Sequence, residues 1–286
     1  MIFKERPSFK MKRWPTETPV TPLQKDPQKI PLIIAHRGAS AVAPENTLAA
    51  FEQAIAAGAD GLEFDVRLAK DGVPVVIHDP TLDRTAGVAK SVSLLSSEEL
   101  GSIDVGGWFY ESSSKPEALI ARQTVPLLAD VLDLAERVHG PLFIELKCSD
   151  AEVDPLAYAV CEAVKTSPVM SQVIIKSFKL AVIPRTKALL PAVRTAALFA
   201  PRIMTILRKE KHMVTLARKL GADELSVHFS LATRKLCERA SIHGMPVNVW
   251  TTNHPRWVKR ALRLGIRSLI TDDPANLLAR RSALLS

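Results

Sequence analysis

The stretch PLIIAHRGASAVAPENTLAAFEQAIAAGADGLEFDV, residues 31–66, contains two apolar runs separated by a helical pattern. The runs PLIIAH (31–36) and GLEFDV (61–66) have the composition and length of buried strands. Between them, apolar residues of NTLAAFEQAIAAG (46–58) recur every three or four positions, which predicts a helix with Asn46 as its N-cap. Because parallel strands need a long crossover, this order predicts a parallel βαβ unit.

The same alternation continues along the chain, since six further β-rich runs each precede a helical pattern. Eight strand-then-helix units predict an α/β protein of the (β/α)8 TIM barrel type. A doubly wound open sheet is the alternative, although no G-x-G-x-x-G follows the first strand. The run VPVVIH (73–78) is not counted in the barrel, and segment 79–126 breaks the rhythm and is predicted to be a small inserted subdomain. The predicted barrel strands are 31–36, 61–66, 141–147, 172–178, 193–199, 222–228, 245–250 and 266–271.

The charge of this 286-residue chain is concentrated near its beginning. Residues 1–30 are rich in Pro and contain seven Lys or Arg against three acids, which is +4 of the total formal charge of +8. We therefore predict that 1–30 is a disordered or loosely attached tail and that 31–286 form the barrel. A basic chain favours anionic partners. The barrel region lacks zinc-finger and RNA-binding signatures, so no nucleic-acid partner is expected.

The number of cysteines and the lengths of the apolar runs indicate the cellular compartment of the protein. The three cysteines, Cys148, Cys161 and Cys237, are odd in number and none is closely spaced with another, so a disulfide framework is not expected. The first residues lack the apolar core of a signal peptide, and no run reaches the roughly 18 apolar residues of a membrane span. We predict a cytoplasmic protein, with peripheral attachment to a membrane as the alternative.

Acidic side chains alternate with apolar ones in two predicted strands. In GLEFDV, Glu63 and Asp65 share one face, and in FIELK, Glu145 shares a face with Lys147. Charged faces near the carboxyl ends of barrel strands point into the mouth of the barrel, where such proteins build active sites. Three carboxylates there favour a hard divalent cation. Taken alone, Glu63 and Asp65 could instead be ordinary acids on a solvated strand edge, and Glu145 and Lys147 could form a buried salt bridge or part of a polar layer that fills the barrel.

Two histidines stand at the exits of apolar runs, each beside a charged residue. His36 is followed by Arg37, and His78 is followed by Asp79. Histidine titrates near neutral pH and suits proton transfer, although a single histidine at a strand end is more often structural. Arg37 and Lys147 would supply fixed positive charge for a phosphate.

The segment AHRGASAVAPENTLAAFEQAIAAGADGLEFDVRLAKDGVPVVIHDPTLDRT (35–85) resembles the N-terminal signature of the glycerophosphodiester phosphodiesterase family. FIELK, VIIKSF, VNVWTTN and LITDDP are similar to later segments of that family, in the same order, so the resemblance spans about residues 31–280. It implies a (β/α)8 barrel with an inserted subdomain. It also implies metal-dependent hydrolysis of glycerophosphodiesters to sn-glycerol 3-phosphate and an alcohol, with a hydroxyl of the substrate's glycerol as the nucleophile.

The resemblance also assigns roles to individual positions. It implies one divalent ion, Mg²⁺ or Ca²⁺, held by carboxylates, an acid/base pair of histidines, and two cationic phosphate contacts. One further glutamate lies near the metal position as either a ligand or an orienting group. The residues so assigned are His36 and His78 (acid/base), Glu63, Asp65 and Glu145 (metal), Arg37 and Lys147 (phosphate), Trp250 (an aromatic wall of the pocket) and Glu45 (the open position).

Two departures from the family pattern concern the alcohol side of the substrate. Lys179 follows SF where the family often has an acid, and segment 197–213 is unusually basic. One alternative function is therefore a lysophospholipase-D-like hydrolase that contacts an anionic membrane through the tail and residues 202–219. The other is a non-catalytic module that binds phosphodiesters. The expected partner in the main interpretation is a small glycerophosphodiester substrate.

Overall fold

The computed structural model of the chain describes residues 30–111, 122–201 and 210–286. The predicted tail lies outside the described residues except for Ile30, and so do Arg202, Arg208 and Lys209 of the basic segment. Nothing in the structure therefore tests the tail prediction.

Eight parallel strands close into a barrel. The first strand, Leu32–His36, pairs with the last strand on one side, with Leu32 opposite Ser268, and with the second strand on the other side, with Ala35 opposite Leu62. This double pairing leaves no open edge, so the (β/α)8 prediction is confirmed and the doubly wound alternative is wrong. In chain order the strands are β1 (Leu32–His36), β2 (Gly61–Leu68), β3 (Pro74–Val76), β4 (Thr81–Leu82), β5 (Val88–Ser91), β6 (Leu142–Leu146), β7 (Val173–Ser177), β8 (Arg194–Phe199), β9 (Glu224–His228), β10 (Val247–Trp250) and β11 (Ser268–Thr271).

Every barrel strand matches a predicted run and is followed by one or more helices. The barrel strands are β1, β2 and β6 to β11; β3, β4 and β5 lie outside the closed ring. The helices are α1 (Leu48–Ala56), α2 (Asp83–Ala86), α3 (Ser97–Gly101), α4 (Gly107–Glu111), α5 (Leu128–Leu134), α6 (Val153–Lys165), α7 (Val182–Leu189), α8 (Glu210–Lys219), α9 (Arg234–Ile242), α10 (Arg256–Leu264) and α11 (Pro274–Leu285).

The alternation of side chains along each strand divides the core into two layers. Outward residues pack on the helices: Phe64 of β2 contacts Phe51 of α1 edge-on, with ring centroids 5.6 Å apart. Inward residues such as Ile34, Phe143 and Ile174 form a small apolar cluster inside the barrel. This cluster lies below the mouth, so the inward polar residues farther along the same strands lie above an apolar layer.

Short elements occupy the part of segment 79–126 that the structure describes. They are the β4–β5 hairpin and helices α2 to α4. Leu82, Val92 and Leu100 form an apolar cluster there that also includes Val75 of β3. The segment therefore packs against the arm that leaves β2, on the mouth side of the barrel.

The start of α1 differs from the prediction. Thr47, not Asn46, is the N-cap, because the Thr47 hydroxyl accepts the amide of Ala50. Asn46 instead has a left-handed backbone (φ +58°) and its side chain reaches β2.

Among the residues that the structure describes, no helix combines the length and apolarity needed to cross a bilayer.

Candidate active site

The three predicted acidic residues meet at the mouth of the barrel. β2 lies between β1 and β6, and the register sets Glu63 opposite His36 and Asp65 opposite Glu145. All three carboxylates are buried, with 0%, 0% and 5% of Glu63, Asp65 and Glu145 exposed. One oxygen from each lies within 4.8 Å of the others. This donor set of hard, closely spaced oxygens fits a divalent cation such as Mg²⁺ or Ca²⁺.

Three cationic side chains surround these acids. Lys147 Nζ lies 2.5 Å from Glu145 Oε1 and 3.3 Å from Asp65 Oδ1, and Arg37 Nε lies 3.0 Å from Asp65 Oδ2. Lys176 Nζ lies 2.7 Å from Glu63 Oε1. Burial alone would raise the pKa of Asp65, but the charges of Lys147 and Arg37 hold that pKa far below its usual value. Asp65 is therefore ionised at any physiological pH.

His36 ends β1 and is oriented by a carboxylate from the other end of the chain. Its Nδ1 lies 2.6 Å from Asp272 Oδ1, and its Nε2 lies 3.8 Å from Glu63 Oε2. Asp272 is itself held by Ser40 and Asn253. Burial raises the pKa of Asp272, but the hydrogen bond and charge of His36 lower it overall. Because a carboxylate only accepts, the Nδ1 atom carries the proton, and Nε2 keeps its lone pair when the ring is neutral.

His78 lies in the same region because β3, which it follows, pairs antiparallel with β2. The amide of Ile77 donates to the carbonyl of Asp65, which sets His78 next to β2. His78 Nδ1 lies 2.7 Å from Asp79 Oδ1, so this imidazole is oriented in the same way as His36. Burial lowers the pKa of His78, and the charge of Asp65 only partly opposes this. His78 is therefore more readily neutral than an ordinary histidine.

Glu45, left open by the sequence, is ion-paired rather than grouped with the three acids. Arg37 Nη1 lies 2.9 Å from Glu45 Oε1, and Arg84 Nη2 lies 2.6 Å from the same atom. Arg84, from the inserted segment, also contacts Asp79 with Nε 2.6 Å from Oδ2. This chain of contacts ties Arg37 on one side to the Asp79–His78 pair on the other. The described contacts of Glu45 with the site therefore run through these two arginines.

Trp250, to which the family resemblance assigns an aromatic wall of the pocket, lies at the carboxyl end of β10. Its ring meets Phe178 and His228 edge-on, with centroids 5.6 and 5.2 Å apart. The indole Nε1 is buried and has no hydrogen-bond partner among the described residues. Lys179, the first departure from the family pattern, pairs with the exposed Asp150 at 2.8 Å and does not contact the acids in any described interaction.

The family profile of glycerophosphoryl diester phosphodiesterases matches residues 36–276, a span that includes all nine predicted site residues. The chain belongs to this family. A glycerophosphodiester phosphodiesterase of Caldanaerobacter subterraneus subsp. tengcongensis is 32% identical over 247 residues, which cover 86% of this chain and 96% of the relative. The predicted resemblance and the predicted class of enzyme are thereby confirmed.

Solved structures show the same barrel. An Oleispira antarctica phosphodiesterase in complex with the product sn-glycerol-3-phosphate is 25% identical with a TM-score of 0.77, covering 88% of this chain and 96% of that one. A glycerophosphodiester phosphodiesterase from Agrobacterium tumefaciens is 27% identical with a TM-score of 0.70, covering 87% and 99%.

Four residues at the site of this glycerophosphodiester phosphodiesterase family member were not predicted from the sequence. Lys176 stands in the apolar run VIIKS, where a charged residue of inward parity was a usable signal. Asp272, in LITDDP, directly follows a barrel strand and could have been found by the same rule as the other acids. Asn46, whose Nδ2 donates to Asp65 at 3.0 Å, and Arg84 had no local signal, because only the folded chain brings them to the site.

Proposed function

We propose that the chain hydrolyses glycerophosphodiesters to sn-glycerol 3-phosphate and an alcohol, with His36 and His78 as acid/base pair and one divalent cation in the site. The observation that carries this proposal is the grouping of three buried carboxylates within 4.8 Å of one another between two carboxylate-oriented histidines. The product named for the Oleispira antarctica complex agrees with the glycerol side of the reaction.

Glu63, Asp65 and Glu145 would hold the cation, Mg²⁺ or Ca²⁺. When bound, such an ion offsets negative charge on the phosphate oxygens. Arg37 and Lys147 would contact the phosphate from the rim of the acid cluster. Burial lowers the pKa of Lys147, but Asp65 and Glu145 raise it above its ordinary value overall, so Lys147 stays protonated during catalysis.

The two imidazoles would share the proton transfers. The glycerol hydroxyl next to the phosphate loses its proton to the Nε2 of one histidine as its oxygen forms a bond to phosphorus. The bond from phosphorus to the alcohol oxygen breaks, and the other histidine donates a proton to that oxygen. Water then forms a bond to the phosphorus of the resulting cyclic phosphate and gives a proton to the histidine that acted as acid. The bond from phosphorus to the attacking glycerol oxygen breaks, and that oxygen takes back the proton from the first histidine, which leaves sn-glycerol 3-phosphate. Asp272 and Asp79 keep both rings turned so that Nε2 is the reacting atom.

The decisive experiment is a turnover panel on chelator-treated protein with Mg²⁺ or Ca²⁺ added back. Glycerophosphocholine, glycerophosphoethanolamine and glycerophosphoglycerol should release sn-glycerol 3-phosphate only after metal addition, and Glu63→Gln should lower both metal binding and turnover. Full turnover in excess chelator would remove the metal from the proposal. Absence of turnover on every diester with each metal would refute the reaction itself.

Lysophosphatidylcholine in the same panel separates the lysophospholipase-D-like alternative. The two basic residues of segment 202–219 whose side chains are described, Arg218 and Lys219, end α8 next to the amino end of β9. That end of the barrel lies opposite the mouth, so these residues do not favour a membrane-facing active site. Segment 202–209 and the side chains of Glu210 and Lys211 lie outside the described part of the chain. The cytoplasmic location and the membrane contact both remain predictions.

A further inference from the structure

Lys176 is a lysine enclosed inside the barrel. Only 2% of its side chain is exposed, although lysine is almost never fully buried without a partner. It lies in β7 opposite Glu145 of β6, with inward parity two residues beyond Ile174 of the apolar layer. The stem of Lys176 therefore extends from this apolar layer toward the acid cluster.

The ammonium of Lys176 contacts two of the three proposed metal ligands. Its Nζ lies 2.7 Å from Glu63 Oε1 and 3.8 Å from Glu145 Oε2. A buried ammonium is strongly disfavoured unless it is paired, so these carboxylates stabilise Lys176 where it is. Conversely, Lys176 offsets the repulsion between acids held a few ångström apart.

Lys147 contacts the same cluster from a different position. It follows the carboxyl end of β6, and 14% of its side chain is exposed at the rim, against 2% for Lys176. Lys147 can therefore face a phosphate in the mouth, whereas Lys176 lies beneath the carboxylates and faces them alone among its described contacts. Lys147 is therefore the cation on the substrate side of the acid cluster, and Lys176 is the cation next to the proposed position of the ion.

We infer that Lys176 is a built-in cation that competes with the divalent metal for Glu63 and Glu145. This inference rests on the proposed function, in which the three acids hold one ion. In the metal-free protein the ammonium keeps the carboxylates together. A bound ion must take oxygen ligands that Lys176 already contacts, or lie close to its positive charge, and either requirement weakens metal binding. Lys176 is thus a positioning residue that sets the metal affinity.

The test compares metal affinity with and without this charge. Lys176→Met keeps the length and apolar stem of the side chain, and Lys176→Gln is a second variant in case methionine disturbs folding. In calorimetric titrations of chelator-treated protein with Mg²⁺ and Ca²⁺, the variants should bind at least about tenfold more tightly, because cations a few ångström apart repel strongly inside a protein. Metal-free variants should also unfold at a lower temperature and gain more from added metal than the wild type. Lys165→Met, an exposed lysine on α6, is the control for net charge and should bind metal as the wild type does.

The outcomes separate this inference from the proposed function. Equal or weaker metal affinity in both Lys176 variants, with a wild type that binds metal, overturns the role of Lys176 and leaves the proposed function intact. No metal binding in the wild type or in either variant overturns both the role of Lys176 and the metal of the proposed function. Diester turnover by the same metal-free wild type would then show that the reaction stands without the ion.

Discussion

At the scale of single residues, the two histidines have parallel environments built from different parts of the chain. Asp272, 236 residues away, orients His36, whereas the adjacent Asp79 orients His78. A positioned acid or base contributes about 10²–10⁴-fold to a rate. We expect His36→Ala and His78→Ala each to lose at least about 10²-fold in kcat for glycerophosphocholine hydrolysis, while circular dichroism shows a folded protein.

His243 provides the control for these substitutions, because it is exposed at the end of α9 and precedes the amino end of β10, which lies opposite the mouth. His243→Ala should keep wild-type turnover. A folded His36→Ala or His78→Ala protein with near-normal kcat would contradict its assignment as acid or base.

The titration of His78 offers a second test at this scale. Burial lowers the pKa of His78, while Asp65 and the hydrogen bond to Asp79 raise it in part. Asp79→Asn removes one of the contacts that raise the pKa of His78, whereas the lowering effect of burial stays. The pKa of His78 should therefore fall further in this variant. His78 would then stay neutral to a more acidic pH, as followed by NMR of its imidazole in metal-free protein.

Asp71→Asn is the matched control for that titration. Asp71 is an exposed carboxylate whose described contacts are with Ser97 and its own loop, so its loss should leave the His78 curve unchanged. An upward shift of the His78 pKa in Asp79→Asn would show that Asp79 does not act on the ring as the geometry indicates.

At the scale of elements, the turn between β1 and α1 decides where the site residues point. Arg37 (φ +57°) and Gly38 (φ +83°) both have left-handed backbones, which turn the chain sharply at the barrel mouth. A Cβ on Gly38 would lie 2.5 Å from the carbonyl carbon of Ala50 in α1. Gly38→Ala should therefore destabilise the protein by more than about 2 kcal/mol, as clashes and strained backbone usually do, and should lower kcat/KM by displacing Arg37.

The same substitution at Gly58 distinguishes the effect of the clash from the effect of the left-handed backbone. It also has a positive φ (+79°), but no atom lies within 4 Å of its Cβ position. Gly58→Ala should cost only the roughly 1–2 kcal/mol of a left-handed alanine and leave kcat/KM unchanged. Equal losses of stability, measured by urea unfolding of the two variants, would show that close packing against α1 is unimportant at Gly38.

At the scale of the whole molecule, the two ends of the barrel have different roles. Residues at the amino ends of the strands stabilise the fold, whereas residues at the mouth form the candidate active site. Glu224 lies at the amino end of β9, opposite the mouth, and is only 1% exposed. Its carboxylate accepts hydrogen bonds from Arg194 (3.2 Å), Arg267 (2.6 Å) and Asn248 (2.8 Å). These contacts link β9 to β8, to β10 and to the residue that precedes β11. Since both arginines are about one-third exposed, we expect Glu224→Gln to cost about 2 kcal/mol, below the usual loss for a fully buried pair. Its kcat should be unchanged below the unfolding temperature.

Glu162→Gln tests whether any lost carboxylate has this effect. Glu162 is exposed and pairs only loosely with Lys165 at 3.7 Å, so its loss should change the free energy of unfolding by less than about 0.5 kcal/mol. A large loss of kcat in folded Glu224→Gln would contradict the separation of the two ends.

Much of the fold follows from local patterns. A strand shows its two faces through alternation and a helix shows one face through its 3.6-residue period, so the eight units, the inward acids and the strand-end histidines could all be predicted before any contact was known. The elements of segment 79–126 could not, because strands and helices of two to five residues are too short to show a period.

Tertiary structure decided which of these residues act on one another. Barrel closure joins His36 to Asp272, and the register of β6 against β2 and β7 sets Glu145 beside both Asp65 and Lys176. A pattern in the chain reports which side of a strand a residue faces, whereas the partner it meets depends on strand order and register. Those are fixed only when the whole apolar core packs, so the pairing of Lys176 with Glu63 and Glu145 could not be read from any single segment.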